Sequence, residues 1–229
     1  MQNLSPRLRA VLDLCRLPEN CQVLADIGAD HGYLTIAAIQ EGICNRAIAC
    51  DLNPEPLAIG NANIKDAGLD GRIETRLGDG LQPLLSGEAD CIVIAGMGGM
   101  RIWGIISDGI EQAMQAKRLV LQPQHDVILL RKKLHEAGFE IEDERLVREI
   151  VGSKEHFYVI LAARYAADVT PWTDKESFLG KHLIAKAGED YSAYLLRERE
   201  KIAAYISSVN DEETLNRAKE RLIWLDAVE

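Results

Sequence analysis

Residues 22–40 read QVLADIGADHGYLTIAAIQ: an apolar run that ends at Ile27, a turn carrying Gly28 and Gly32, and then a helical run from Leu34 to Gln40. A strand that passes through a glycine turn directly into a helix is the opening unit of a parallel sheet, and the turn is where backbone N–H groups face a ligand. Gly28 lets the chain turn tightly with its backbone close to that ligand. Gly32 is expected to let the helix start pack against the strand.

The same alternation continues outward from this unit. Strands are predicted at 22–27, 46–51, 73–77, 91–95 and 118–122, each followed by a turn residue and a stretch of 3.6 period, including a helix over 101–115. Right-handed crossovers then give a doubly wound Rossmann-like α/β sheet. Two further stretches, 139–150 and 155–164, are separated only by Val151, Gly152, Ser153 and Lys154. That spacing is too short for a parallel crossover, so they are expected to form an antiparallel hairpin at the sheet edge.

After Tyr165 comes a linker containing Pro171, then helical patterns without strand signals, which predicts domains at 1–165 and 166–229. Thr173 and Glu176 have capping-box spacing and open a predicted helix. On it Ile184, Tyr191, Leu195, Ile202, Tyr205 and Val209 keep heptad seam positions. Asn210 and Glu213 repeat the capping signal, and Leu215, Ala218, Leu222 and Leu225 follow at three-four spacing. The two helices are expected to close a coiled-coil-like α-helical hairpin.

With 229 residues, 47% of them hydrophobic, the chain has enough apolar surface for one full domain and a smaller appendage. No run of eighteen apolar residues occurs, and Ser5, Pro6, Arg7 and Arg9 do not resemble a leader, so a soluble, cytoplasmic protein with no membrane partner is expected. The five cysteines lack CxxC spacing and read as buried free thiols, and the five dispersed histidines give no metal set. The net charge of -10 excludes broad attraction to nucleic acid, so such a partner is recognised by shape and a limited basic patch.

Acidic residues recur at successive strand ends. Asp51, twenty-five residues past Asp26, stands where a carboxylate accepts hydrogen bonds from both ribose hydroxyls, and Asp79 between Gly78 and Gly80 suits an exocyclic adenine amine. A dinucleotide site wants Gly-x-Gly-x-x-Gly, but the middle glycine position is Asp30, and Asp26 precedes Gly28. Two carboxylates repel a pyrophosphate and suit an ammonium and a sulfonium, so the predicted cofactor is S-adenosylmethionine. The run Ala95-Gly96-Met97-Gly98-Gly99 offers close backbone approach for a substrate. In Gln122-Pro123-Gln124-His125-Asp126, Asp126 is expected to cap a helix beside an exposed His125.

Taken together, Leu4-Ser5-Pro6-Arg7-Leu8, the loop from Asp26 to Leu34, Ile94-Ala95-Gly96-Met97-Gly98-Gly99 and the run from Arg118 to Pro123 resemble the bacterial tRNA (adenine(22)-N1)-methyltransferase family. Phe178-Leu179-Gly180 and Leu183 look like an altered form of that family's Phe-Gly-Pro-x-x-Leu pattern. The resemblance implies a class I methyltransferase sheet with an antiparallel last strand, a C-terminal helical hairpin that helps hold tRNA, and methylation of adenine N1 near the D arm. Gly32 departs from the family's alanine, Asp51 from its glutamate and Gln124 from its asparagine.

The candidate catalytic residues are Asp30, His31, Tyr33 and Met97. The candidate donor-binding residues are Arg7, Asp26, Gly28, Ala29, Asp30, His31, Gly32, Asp51, Leu52, Asn53, Gly78, Asp79, Gly80, Ala95, Gly96 and Met97. Asp30 either accepts the adenine N6–H or holds the donor's ammonium, and Tyr33, Met97 and Tyr158 are candidates to flank a flipped ring. Adenine N1 attacks through an in-plane lone pair, so alignment, worth about 7–11 kcal/mol, outweighs acid–base help.

Arg7, Arg9, Arg101, Arg131, Lys132 and Lys133, with a stripe of Lys181, Lys186, Arg197, Arg199 and Lys201, are candidates to meet tRNA phosphates, although a solvated face also explains the run at 131–133. A monomer or weak homodimer is expected. The competing functions are a small-molecule methyltransferase and a noncatalytic tRNA-binding scaffold.

Overall fold

The computed structural model describes residues 4–208 and 211–228. Seven strands, β1 (Cys21–Ile27), β2 (Cys44–Asp51), β3 (Ile73–Leu77), β4 (Cys91–Met97), β5 (Arg118–Pro123), β6 (Phe139–Val151) and β7 (Lys154–Tyr165), form one sheet in the order β3-β2-β1-β4-β5-β7-β6. The first five pair in parallel, and β7 runs antiparallel between β5 and β6. The chain builds outward from β1 to β3, then returns to add β4 and β5 on the other side. The order therefore reverses between β1 and β4, and the carboxyl ends of those strands open a crevice.

Strand alternation feeds two cores. Leu24, Val93, Val120 and Ile160 face α1 (Pro6–Leu14), α2 (Tyr33–Gln40) and α3 (Pro54–Asp66), where they meet Leu12, Leu34 and Ile64. Ile27, Ile92, Ile94, Leu119 and Leu121 face α4 (Gly99–Asp108), α5 (Ile110–Gln115) and α6 (Val127–Glu136), where they meet Ile102, Ile106, Ala113 and Leu130. All five cysteines are buried and free.

Several boundaries differ from the sequence pattern. The predicted strand 91–95 extends to Met97 through a register shift between Ala95 and Met97. The predicted helix 101–115 begins at Gly99 and is interrupted at Gly109, whose backbone (φ -117, ψ 42) leaves the helical region.

The helix expected to run on from Thr173 is three: α7 (Asp174–Leu179), α8 (Lys181–Ala185) and α9 (Glu189–Ile206). The capping box of Thr173 and Glu176 is formed, but Gly180 at φ 86 ends the first of them and extended Gly188 precedes the last. The last helix, α10 (Glu212–Asp226), is capped by Asp211, whose side chain accepts from the Thr214 N–H at 2.8 Å. Val209 and Asn210, assigned above to the seam and the cap, lie outside the described residues. Tyr191, Leu195 and Ile202 are buried as the seam requires, whereas Tyr205 is exposed. Phe178, Leu183, Tyr191, Leu195, Ala218 and Leu225 join the same core that covers the sheet, so the C-terminal helices pack onto it.

Candidate active site

The crevice at the ends of β1, β2 and β4 holds a cavity of about 460 Å3, within the usual size of a small-molecule site. Its shape starts with Gly28 (φ 76), at the exit of β1, where the Gly28 and Ala29 N–H groups each donate to the Cys50 carbonyl at 2.9 Å. Glycine is required here by its left-handed backbone, and the open space it leaves is filled by the Met97 methyl carbon, 2.4 Å from where a Cβ would lie. This fold of the loop turns Asp30, His31 and Tyr33 to the rim.

Asp51, at the end of β2, is buried and fixed from two sides. Its Oδ2 accepts from the Asp30 N–H at 3.1 Å and its Oδ1 from the Asn53 N–H at 2.9 Å. Asp26 lies on the cavity floor, where burial and the nearby Asp51 and Asp30 carboxylates push its pKa up to about 7. The Asp30 side chain is 64% exposed, against 5% for Asp26, so one carboxylate faces outward and the other faces the floor. The His31 ring meets the Tyr33 ring edge to face at 5.7 Å, and its Nδ1 is 3.5 Å from the Asp30 carboxylate.

Arg7 comes to the opposite wall from α1. Its Nη1 donates to Gln122 Oε1 at 2.6 Å, and its backbone N–H donates to Glu149 at 2.5 Å. Gln122 is fully buried and also accepts from the Gly96 N–H at 3.1 Å, while its Nε2 donates to the Pro123 carbonyl. One amide thus ties the bulged end of β4 to the Arg7 guanidinium.

Every candidate catalytic and donor-binding residue lines this cavity except Gly32, and Tyr158, expected beside a flipped ring, lines a neighbouring cleft instead. Gly32 (φ 73) packs instead against Gly60 of α3, because a Cβ there would sit 3.5 Å from the Gly60 main chain; its neighbour is a helix and not the strand expected. The wall also contains Pro56, Arg101, Ile105 and Gln124. Arg101 and Gln124 are named above for other reasons; Pro56, in the first turn of the helix after the Asp51 loop, and Ile105, one helical turn beyond Arg101, are the two that sequence reasoning missed. Cys50 reaches the cavity too, but burial raises its thiol to about 12, which rules out thiolate chemistry there near neutrality.

Several expectations change with tertiary structure. Asp126 has no side-chain cap bond; its backbone is left-handed (φ 60), which swings the carboxylate to His125 Nδ1 at 2.7 Å, so these neighbours do meet. Arg131 is not available to phosphate. It is fully buried against Glu144 at 2.7 Å, because α7 packs on α6 and Gly180, between α7 and α8, lies against the guanidinium.

Lys132 pairs with Asp174 and Lys133 with Glu136. In the predicted stripe, Lys181 pairs with Glu176, Lys186 with Asp143, Arg199 with Asp226 and Lys201 with Glu198. The stripe is therefore largely neutralised. Among the described residues no cluster of three or more His, Cys, Asp or Glu is placed to hold a metal, and no helix is long and apolar enough to cross a membrane.

The family model described as a methyltransferase domain matches residues 4–161. The tRNA (adenine(22)-N(1))-methyltransferase of Bacillus subtilis (strain 168) is 36% identical over 146 residues, which are 64% of this chain and span 60% of that relative's length. The crystal structure of the B. subtilis m1A22 tRNA methyltransferase TrmK is similar over 100% of this chain and 99% of its own, with a TM-score of 0.85 and 26% identity. A Streptococcus pneumoniae protein solved in complex with S-adenosyl-L-methionine is similar over 99% of both chains, with a TM-score of 0.86 and 26% identity.

Proposed function

Because this chain belongs to the methyltransferase-domain family, we propose that its cavity binds S-adenosylmethionine and that the enzyme transfers the methyl group to N1 of adenine 22 in the D arm of tRNA. The observation that carries the reading is the set of four carboxylates, Asp26, Asp30, Asp51 and Asp79, around one cavity whose glycine turn departs from the dinucleotide pattern. Such a rim repels a diphosphate and attracts a ligand with an ammonium and a sulfonium. The tRNA substrate comes from the likeness to the B. subtilis enzyme.

When bound, S-adenosylmethionine supplies a methyl group on a cationic sulfur. Asp51, pre-set by the Asp30 and Asn53 N–H groups, accepts the ribose hydroxyls, and Asp79 accepts the exocyclic amine of the donor's adenine. Arg7, aimed by Gln122, pairs with the donor's carboxylate, and the buried Asp26 meets its ammonium. Exposed Asp30 then remains for the N6–H of the target base, with Tyr33 and Met97 beside the ring and His31 held near Asp30. The target N1 attacks with its own lone pair, so these groups act by alignment and no base is required.

Residues 1–165 form the donor-binding domain in this reading and residues 166–229 the helical part that helps hold tRNA, in a cytoplasmic enzyme that is a monomer or weak homodimer. A nucleoside digest of tRNA transcript treated with enzyme and donor tests it. N1-methyladenosine is expected from the natural transcript and none from one carrying guanine at position 22. Absence of the methylated nucleoside from RNA overturns the reading.

A further inference from the structure

The segment Pro123-Gln124-His125 divides the donor cavity from a second cleft of about 520 Å3, bounded by the β5–α6 turn, by residues 156–159 of β7, and by α9 and α10. The two spaces adjoin: both are lined by Gln124, and the Arg7 guanidinium of the first lies 5.4 Å from the centroid of the Tyr158 ring of the second. One wall of the cleft is aromatic. Phe157 of β7 and Tyr194 of α9 meet there at 5.8 Å, while His156 and Tyr158, on either side of Phe157, alternate to the other face of the strand and hold their ring planes within 9° at a centroid distance of 6.1 Å.

The facing helices bring Arg197, Lys201 and Arg221 against two carboxylates, Asp126 and Glu198. Lys201 is paired with Glu198. Among the described residues Arg197 donates only to the neutral Glu155 carbonyl, at 2.7 Å, while its guanidinium lies 5.7 Å from the Phe157 ring centroid. Arg221 lies 5.3 Å from the Phe178 ring centroid and has no carboxylate at ion-pair distance among the described residues. In a chain of net charge -10, two guanidiniums that are in no ion pair among the described residues, beside the Phe157 and Tyr194 rings, mark a place for a group that is flat at one end and anionic at the other. A nucleotide has that shape and charge, and a strand whose target base enters the first cavity must continue past its rim.

We infer that this second cleft seats the nucleotide next to the target adenosine in the same RNA strand, with its base against the Phe157 ring and its phosphate at Arg197 and Arg221. The inference rests on the methyltransferase reading for its substrate, but its test does not need turnover. Filter binding of tRNA transcript by the full chain, repeated between about 50 and 200 mM salt, is compared for wild type, Phe157→Leu and Arg221→Gln, with S-adenosylhomocysteine affinity measured in parallel by calorimetry.

Loss of stacking in Phe157→Leu weakens tRNA binding by about tenfold, and Arg221→Gln makes the slope of log K against log salt shallower by about one, both with unchanged S-adenosylhomocysteine affinity. If Phe157→Leu melts at a lower temperature than wild type, the salt slope of Arg221→Gln decides alone. Two variants that bind tRNA as wild type does, with the wild-type slope, overturn the inference. A wild-type protein that binds tRNA without methylating it overturns the proposed reaction and leaves the cleft to be judged by the slope, whereas one that binds no tRNA overturns both.

Discussion

Arg131 of α6 and Glu144 of β6 form an ion pair at 2.7 Å with neither side chain exposed, and together they hold the start of the C-terminal helices against the sheet. The Arg131 guanidinium also donates to the Ser177 and Phe178 carbonyls at the end of α7, and Glu144 accepts the His182 N–H in the first turn of α8. The pair therefore satisfies both chain ends at the break around Gly180. Removing one partner leaves a buried charge, and Glu144→Gln or Arg131→Met is expected to lower stability by about 3–5 kcal/mol in urea unfolding. The double variant Arg131→Met/Glu144→Leu is expected to recover the part of that loss that comes from the unpaired charge, but not the part from the Ser177, Phe178 and His182 main-chain groups left without a partner. A loss in the double variant equal to the sum of the two single losses contradicts this account.

Asp51→Ala is expected to weaken S-adenosylhomocysteine binding by about ten- to a hundredfold, the size of a lost hydrogen bond to a charged group. The variant also frees the Asp30 and Asn53 N–H groups, so Asp51→Asn, which keeps one acceptor oxygen, falls between wild type and alanine. Calorimetric affinities equal to wild type remove Asp51 from the donor site.

Asp26 carries a pH dependence whose sign follows from its pKa. The folded value of about 7 lies above the ordinary carboxylate range near 4 of an unfolded chain. Between these limits the folded state binds the extra proton, so this residue's contribution to stability falls as pH rises through the window. The difference in melting temperature between wild type and Asp26→Asn is expected to shift against wild type from about pH 5 to pH 7. A donor ammonium beside Asp26 favours the carboxylate, so donor affinity rises with pH through about 7 in wild type and is flat in the variant. Parallel profiles for both proteins exclude Asp26 from contact with the donor.

Ligand discrimination gives a direct check of the cavity electrostatics. S-adenosylhomocysteine at a hundred times its Kd is expected to stabilise the fold by about 2.7 kcal/mol, with a matching rise in melting temperature. A nicotinamide dinucleotide at the same concentration leaves the melting temperature unchanged. A rise with the dinucleotide alone refutes the assignment of the carboxylate rim.

The sequence by itself determined the parts whose signal is local. Strand 22–27 followed by Gly28 announced a βα unit, and the short spacer at 151–154 required an antiparallel return. Asp26, Asp30, Asp51 and Asp79 fell at strand ends, and parallel strands in one sheet must bring those ends together. Backbone periodicity and turn chemistry act over a few residues, so these features are written where they occur.

Tertiary structure alone decided the rest. Arg131 reads as a solvated helix residue until α7 and Gly180 come against it, and Gln122 becomes the fixing point of Arg7 only because α1 docks across the end of β5. The apparent seam from Ile184 to Tyr205 is broken by extended Gly188 between α8 and α9. The second cleft joins residues near 123, 157 and 221. Contacts between such distant segments depend on burial and charge pairing summed over the whole fold, and local propensity carries no record of them.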